Sequence, residues 1–145
     1  DRGAAAPVEL RSSLSLYRSR VDGVPGPDNR LDSQAKATAN LGGDYRFRGL
    51  PLTLGGSLNW VPGYRTQLDD RQVTSVSTKH VFDSYALWTF NPAVALRVLA
   101  GNLAPADYTS TNAIDSMLFG QGTRETARTV AATYTNWQVR LELKL

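Results

Sequence analysis

The chain has 145 residues, of which 41% are hydrophobic and 20% charged, with a formal net charge of +3 and no cysteine. That is the size and apolar content of one ordinary folded domain, and the 16 lysines and arginines are scattered singly, so no basic block indicates nucleic-acid binding. The lack of cysteine excludes disulfides, thiolate metal sites and cysteine nucleophiles, and no run of 18 apolar residues predicts a transmembrane helix.

The first half of the chain contains three runs in which apolar and polar residues alternate. Such alternation is typical of a strand with one apolar and one polar face. The first run spans Val8 to Val21 and is followed by a segment rich in turn residues. The second covers Gln34 to Arg48, and the third begins at Leu52. We expect Pro62-Gly63 to bend or bulge this third strand.

The second half continues the same pattern with three further runs. They are Val81 to Phe90, Val94 to Leu103 and Thr126 to Leu145. In the last nine residues, beginning at Trp137, apolar and polar residues alternate without exception. The sequence therefore predicts six strands in all.

The connections between these strands alternate between short and long. Gly49-Leu50-Pro51 and Asn91-Pro92-Ala93 are short, whereas the breaks near 22–33, 66–79 and 104–124 are long and polar. Up-and-down membrane barrels sort their connections in this way, with short periplasmic turns and long outer loops. We therefore predict an all-β fold, an antiparallel up-and-down meander of about six long strands that is part of a transmembrane β-barrel.

The alternation divides the candidate functional residues between two faces. One face of the last strand is predicted to guide insertion and to contact lipid: Trp137, Val139, Leu141, Leu143 and Leu145. The opposite face is predicted to line the lumen or to contact a plug, and it carries Lys36, Asp44, Arg46, Asp83, Arg97 and Arg140. For any one of these charged residues, a hydrated ladder of cross-strand pairs is the favoured alternative. The long loops are where a ligand would be captured, and Tyr108, Met117 and Phe119 either touch that ligand or pack the loop.

No constellation of residues indicates catalysis or metal binding. His80 is the single histidine and is predicted to be a surface residue. The pair Asp69-Asp70 could bind a cation, although paired loop carboxylates are usually solvated. No serine or threonine has a base at a spacing that suggests a catalytic triad. We expect no catalytic residue, no metal and no cofactor.

Several segments carry a family resemblance. They are Phe82-Asp83-Ser84-Tyr85-Ala86-Leu87-Trp88 with the turn Asn91-Pro92, then Leu96-Arg97 leading to Gly101-Asn102-Leu103 and Asp107-Tyr108, and the closing stretch from Trp137 to Leu145. In these segments, the chain resembles the C-terminal barrel of a bacterial TonB-dependent outer-membrane receptor. Residues 41–47 and 52–64 also fit the sequence style of that family. The resemblance covers nearly the whole chain through degenerate motifs. That family usually ends on an aromatic residue, whereas this chain ends on Leu145.

The resemblance implies a location in the bacterial outer membrane and TonB-driven uptake of a scarce ligand such as a ferric siderophore, with no chemistry on the substrate. The implied partners are outer-membrane lipid, an N-terminal plug with the remaining barrel strands, the TonB system acting through that plug, and the barrel-assembly machinery. No enzyme activity is expected. Because six strands are fewer than the eight of the smallest common membrane barrels, we expect residues 1–145 to be the C-terminal portion of a longer barrel whose plug domain lies elsewhere.

Two other functions fit the same strand pattern. A passive porin-like barrel of the outer membrane would have similar strands without a plug. A soluble β-barrel that binds a small apolar ligand would instead turn its apolar face inward and stay in the aqueous phase. The sorting of the connections and the family resemblance favour the receptor.

Overall fold

The structure is a computed structural model, and it describes residues 7–118 and 120–144. Ten strands and no helix are present in these ranges. The strands are β1 (Val8–Leu16), β2 (Ala37–Arg46), β3 (Leu52–Val61), β4 (Tyr64–Gln67), β5 (Gln72–Val76), β6 (Lys79–Asn91), β7 (Val94–Gly101), β8 (Tyr108–Leu118), β9 (Gln121–Ala131) and β10 (Asn136–Leu143).

Six strands form the main sheet, in the order β1-β2-β3-β6-β7-β10, with every neighbouring pair antiparallel. These correspond to the six runs of alternating residues, so the prediction of an all-β antiparallel meander is confirmed. The sheet is open within the described part of the chain, and β1 and β10 are its edges. Within the same ranges, no helix has the length and apolar character that a membrane span requires.

Two of the predicted long loops are strands, and the expected number of six strands is therefore too low. The stretches 66–79 and 104–124 contribute to β4, β5 and β8, which join β9 in a second antiparallel sheet of order β4-β5-β8-β9. The predicted sixth strand, Thr126 to Leu145, is also wrong as a single element. Residues 132–135 interrupt it, so its first part belongs to β9 and its second part is β10. Apolar residues of the second sheet are few and irregularly spaced, which leaves no regular alternation to detect.

The hairpin of β4 and β5 is a direct prolongation of the hairpin of β3 and β6. Val61 pairs with Lys79, and Tyr64 pairs with Val76. The two pairs are therefore the same number of residues apart on both strands of the hairpin. The ladder is interrupted at Pro62-Gly63, where the backbone amide of Gly63 donates to Oγ1 of Thr78 at 3.0 Å. The predicted irregularity at Pro62-Gly63 is thus confirmed. Odd-numbered residues continue along the same face from β3 into β4.

The strand that runs from β7 into β8 contains a bulge at Asn102. Six residues lie between Gly101 and Tyr108, whereas four lie between their partners Ala131 and Asn136, so two residues are inserted on the β7–β8 side. Asn102 adopts a left-handed backbone with a φ of 54°, a conformation that asparagine tolerates better than most residues. Its backbone amide donates to Oδ1 of Asp83 at 2.8 Å, which holds the bulge against β6.

Two short turns join strands at the opposite end of the main sheet. In the turn between β6 and β7, Oδ1 of Asn91 accepts the backbone amide of Ala93 at 2.9 Å, the local bond for which asparagine is favoured in turns. In the turn between β2 and β3, Gly49 has a φ of 84°, a conformation that glycine adopts without steric cost. Both turns coincide with the predicted short connections.

Within residues 7–118 and 120–144, the sheets enclose no hydrophobic core. Among the described residues, only three hydrophobic side chains are buried, namely Val73, Ala100 and Ala113. The second sheet extends the main sheet, since the pair Tyr64 and Val76 keeps the register of the pair Val61 and Lys79. The main sheet exposes large hydrophobic side chains such as Leu10, Leu16 and Trp137.

Candidate functional site

The apolar face of the main sheet is continuous from edge to edge. One row of neighbours crosses all six strands on this face: Val8, Tyr45, Leu54, Ala86, Val98 and Val139. The predicted lipid-facing residues of β10 lie on it and are largely exposed: Trp137 at 68%, Val139 at 68%, Leu141 at 58% and Leu143 at 61%. Leu145 lies outside the described residues.

On the first strand, the same face exposes Leu10 at 76%, Leu14 at 65% and Leu16 at 75%. Fully burying a side chain of this kind contributes roughly 1.5–3 kcal/mol. An uncovered face with so many of them is unfavourable in water and marks a surface that contacts lipid or another apolar surface. The apolar face is therefore the larger part of the candidate site.

The opposite face carries the predicted polar residues. The alternation of the strands places Asp44, Arg46, Asp83, Arg97 and Arg140 there, on β2, β6, β7 and β10. Lys36 lies one residue before β2, is exposed, and its backbone carbonyl accepts the amide of Tyr17 at 2.9 Å. The structure thus brings most of the predicted set to one face but leaves Lys36 at its margin.

A chain of polar contacts, which we term the polar ladder, crosses this face through Arg11, Asp44, Tyr85, Arg97 and Glu142. Arg11 donates to Oδ2 of Asp44, and the hydroxyl of Tyr85 donates to Oδ1 of the same carboxylate, each at 2.5 Å. The guanidinium of Arg97 lies 5.0 Å from the centre of the Tyr85 ring, and its Nε donates to Oε1 of Glu142 at 2.7 Å. The ladder links five of the six strands.

The polar ladder matches the cross-strand pairing that the sequence offered as the alternative for Asp44 and Arg97. Arg11 and Tyr85 were not among the site residues predicted from the sequence. Both could have been found from the sequence, because they occupy polar-face positions within alternating runs. The sequence also did not indicate that Gly55 lies between Asp44 and Tyr85, because that position depends on how the strands pair.

A second set of side-chain bonds joins β1, β2 and β3 on the same face. The amide of Asn59 donates to Oδ1 of Asn40 at 2.5 Å, and the amide of Asn40 donates to Oγ of Ser13 at 3.1 Å. These residues line a shallow surface pocket with Arg11. The polar face therefore presents an ordered array of donors and acceptors to whatever fills the space beside it.

The predicted ligand residues are not gathered at one place. Tyr108 begins β8, where Nζ of Lys79 lies 5.1 Å from its ring centre. Met117 is near the other end of β8 and is 75% exposed. Nine residues of strand separate them by about 30 Å, and Phe119 lies outside the described residues. Contact with a ligand or packing of the connection stays a prediction for Tyr108 and Met117, which would take part at separate places.

Three long connections meet at one end of the main sheet. The carbonyl of Asp28, in the connection between β1 and β2, accepts the amide of Gln67 at 2.9 Å, and its carboxylate lies 3.8 Å from Nε of Arg65. The connection between β3 and β6 joins the one between β7 and β10 through the pairing of β5 with β8. The three connections thus form one assembly beyond the main sheet.

Metal-binding groups are sparse. No cluster of three potential ligands from histidine, cysteine, aspartate and glutamate occurs among the residues that the structure describes. His80 pairs across the sheet with Trp60 on the apolar face and is half-buried, so its predicted surface position is only partly met.

No protein-family model, curated protein or solved structure matches this chain. Conclusions about its function therefore depend on the geometry of its own residues.

Proposed function

We propose that this chain forms part of the wall of a bacterial outer-membrane β-barrel, in a receptor that takes up a scarce ligand such as a ferric siderophore through the TonB system. The observation that carries the proposal is the six-stranded meander with one apolar exposed face and one cross-linked polar face. Lipid on one side and a hydrated lumen on the other suit these two faces.

Strand length supports a membrane span. The six strands of the main sheet have between 8 and 13 residues, and a tilted strand needs roughly 9–11 to cross the hydrocarbon layer. Strands in globular proteins are shorter, with a mode of about 5–6 residues.

A soluble sandwich would have to cover its apolar face with a second layer. The second sheet of this chain cannot do so, because it prolongs the main sheet instead of stacking on it. The soluble alternative therefore lacks a core among the described residues.

The free edges of β1 and β10 support a larger barrel. An unpaired backbone group in hydrocarbon costs several kcal/mol, so membrane sheets close on themselves. In the proposal, further strands of the same protein pair with β1 and β10, and an N-terminal plug fills the lumen beside the polar ladder.

The sorting of the connections orients the proposed wall. Short turns lie at one end, which would face the periplasm, and the assembly of long connections at the other end would project from the cell surface. The wall performs no chemistry. It holds the plug and admits ligand from the outer side.

A passive porin-like barrel is the second candidate. The exposed array of Ser13, Asn40 and Asn59 on the polar face favours it, because such side chains also suit a water-filled channel. The difference between the two candidates lies in the plug.

Cell fractionation with an antibody against residues 104–124 tests the proposal. A polypeptide several times larger than 15.8 kDa in the outer membrane, with a plug encoded upstream, is the expected result. The same location without an upstream plug would favour the passive barrel. A soluble 15.8 kDa protein would overturn both membrane functions.

A further inference from the structure

The second sheet carries four arginines at the corners of one face. Arg71 accepts the amide of Asp115 through its carbonyl at 2.8 Å, and Asp115 pairs with Arg124. These three residues form one row across the sheet. The second row contains Arg65, Ser75, Thr111 and Arg128, each paired with the next. We call Arg65, Arg71, Arg124 and Arg128 the arginine frame.

Small side chains form the floor between the two rows. Val73, Ala113 and Thr126 are neighbours across the sheet, and Val73 and Ala113 are 9% and 8% exposed. Neither side chain projects far from the backbone, and little of either is exposed. Two of the four arginines already border a surface pocket, which also contains Met117 and Thr123.

The size of the arginine frame follows from strand geometry. Arg65 and Arg128 are three strand spacings apart, or about 14 Å, and the two rows are four residues apart, or about 13 Å. An arginine side chain is long enough to span part of these distances, so one ligand of small-molecule size can contact several guanidinium groups.

Charge in the arginine frame is only partly compensated. Nε of Arg124 lies 3.6 Å from Asp115, and Nε of Arg65 lies 3.8 Å from Asp28. Both pairs are long, and both arginine side chains are more than half exposed. Arg71 and Arg128 are exposed and have no carboxylate within 4 Å among the described residues.

We propose that the arginine frame binds a soluble, small polyanion that carries several carboxylate or phosphate groups. The planar guanidinium group donates two parallel hydrogen bonds to either kind of group. Groups spread over the frame satisfy separated arginines, which a single small anion cannot do. Asp115 lowers the charge of one row and so weakens the binding of simple anions.

This inference rests on the proposed function. Odd-numbered residues keep the polar face from β3 into β4, so Arg65 lies on the face that continues the polar face of the main sheet. The second sheet also belongs to the assembly of long connections. In the proposed receptor, the arginine frame would therefore lie on the lumen side of the outer end, where a ligand enters.

Calorimetric titration of the full polypeptide that carries this chain, purified in detergent, tests the inference. The probes are citrate, triphosphate and acetate at low ionic strength. We expect citrate and triphosphate to bind and acetate not to bind, with affinity falling as salt is added. Substituting R71Q and R128Q together should weaken binding by about tenfold or more, because charge-assisted hydrogen bonds are lost.

Two further variants keep the test falsifiable. D115N should tighten binding about threefold, because it removes a negative charge several ångströms from the ligand; general misfolding would not tighten it. R48Q removes an exposed arginine in the short turn at the opposite end and should bind as the unsubstituted protein does. Binding that is unaffected by the double substitution would overturn the inference.

Different outcomes distinguish a soluble ligand from an anionic lipid surface, and failure of this inference from failure of the proposed membrane function. Binding through the arginine frame to vesicles of anionic phospholipid, but not to citrate or triphosphate, would overturn the claim of a soluble ligand. An outer-membrane protein whose frame variants bind normally contradicts the inference alone. A protein of the soluble fraction whose binding needs the frame contradicts the membrane function alone.

Discussion

The hydroxyl of Tyr85 donates a hydrogen bond to the carboxylate of Asp44, although a whole strand lies between the two residues. The residue between them is Gly55, which pairs with Asp44 on one side and with Tyr85 on the other. A Cβ at this position would overlap both Oδ1 of Asp44 and the ring of Tyr85. The polar ladder therefore depends on the absence of a side chain in β3.

Substituting G55A should destabilise the sheet by about 1–3 kcal/mol, because the added methyl group forces Tyr85 and Asp44 apart. Unfolding by urea in detergent or lipid would measure the loss. G42A is the matched control on the neighbouring strand, where the added Cβ would meet its nearest atoms at 3.6 Å or more. Equal stabilities for the two variants would contradict the spacer role of Gly55.

An arginine placed on the apolar face should lower the free energy of unfolding far more than an arginine placed on the polar face. L141R should lower the free energy of unfolding in lipid by roughly 2–4 kcal/mol if the residue lies near the membrane midplane. Q138R, on the opposite face of the same strand, should have a small effect. A lipid-facing role for Leu141 fails if both variants insert and unfold alike.

Because the chain has no cysteine, the exposure of each face of β10 can be measured by labelling a single introduced cysteine. In intact outer membranes, a water-soluble maleimide should label R140C and leave V139C unlabelled, because hydrocarbon shields Val139. Both variants should label after unfolding in detergent, which controls for reactivity. Equal labelling in the membrane would show that the apolar face is not covered by lipid.

Arg97 sits directly opposite Arg140 but bonds diagonally to Glu142. Like charges that face each other across a sheet are unfavourable by a few tenths of a kcal/mol, so R140Q should leave stability unchanged or slightly raised. In a double-mutant cycle, R97Q and E142Q should show a favourable coupling at low salt that falls at high salt. A coupling that is absent at low salt would contradict the pairing.

Sequence patterns predicted the main sheet well, and the reason is specific. In the run from Trp137 to Leu143, the apolar and polar residues alternate with the period of a strand, and one buried or lipid-covered face selects for that period. Pro62-Gly63 was predicted as an irregularity because proline lacks a backbone donor. Where apolar residues are few and irregularly spaced, as in β5 and β9, the alternation disappears and the strands were predicted as loops or merged with a neighbour.

The contacts among the polar residues were harder to predict from the sequence. Asp44 and Arg97 were predicted to share a face, but their partners Arg11, Tyr85 and Glu142 are far away in sequence. Which residues become neighbours depends on strand register, and a shift of the register changes every partner along the strand. The two-residue insertion near Asn102 is such a change: the sequence indicated that a bulge could occur there but did not fix the register.

By itself, the sequence determined that this protein is an antiparallel meander with one apolar and one polar face, because side-chain alternation is a local property of extended backbone. Only the tertiary structure decided that the long connections pair as a second sheet, that Gly55 opens a path for the polar ladder, and that four distant arginines share one face. Those features arise from backbone hydrogen bonds between strands remote in sequence, and such bonds do not depend on side-chain identity.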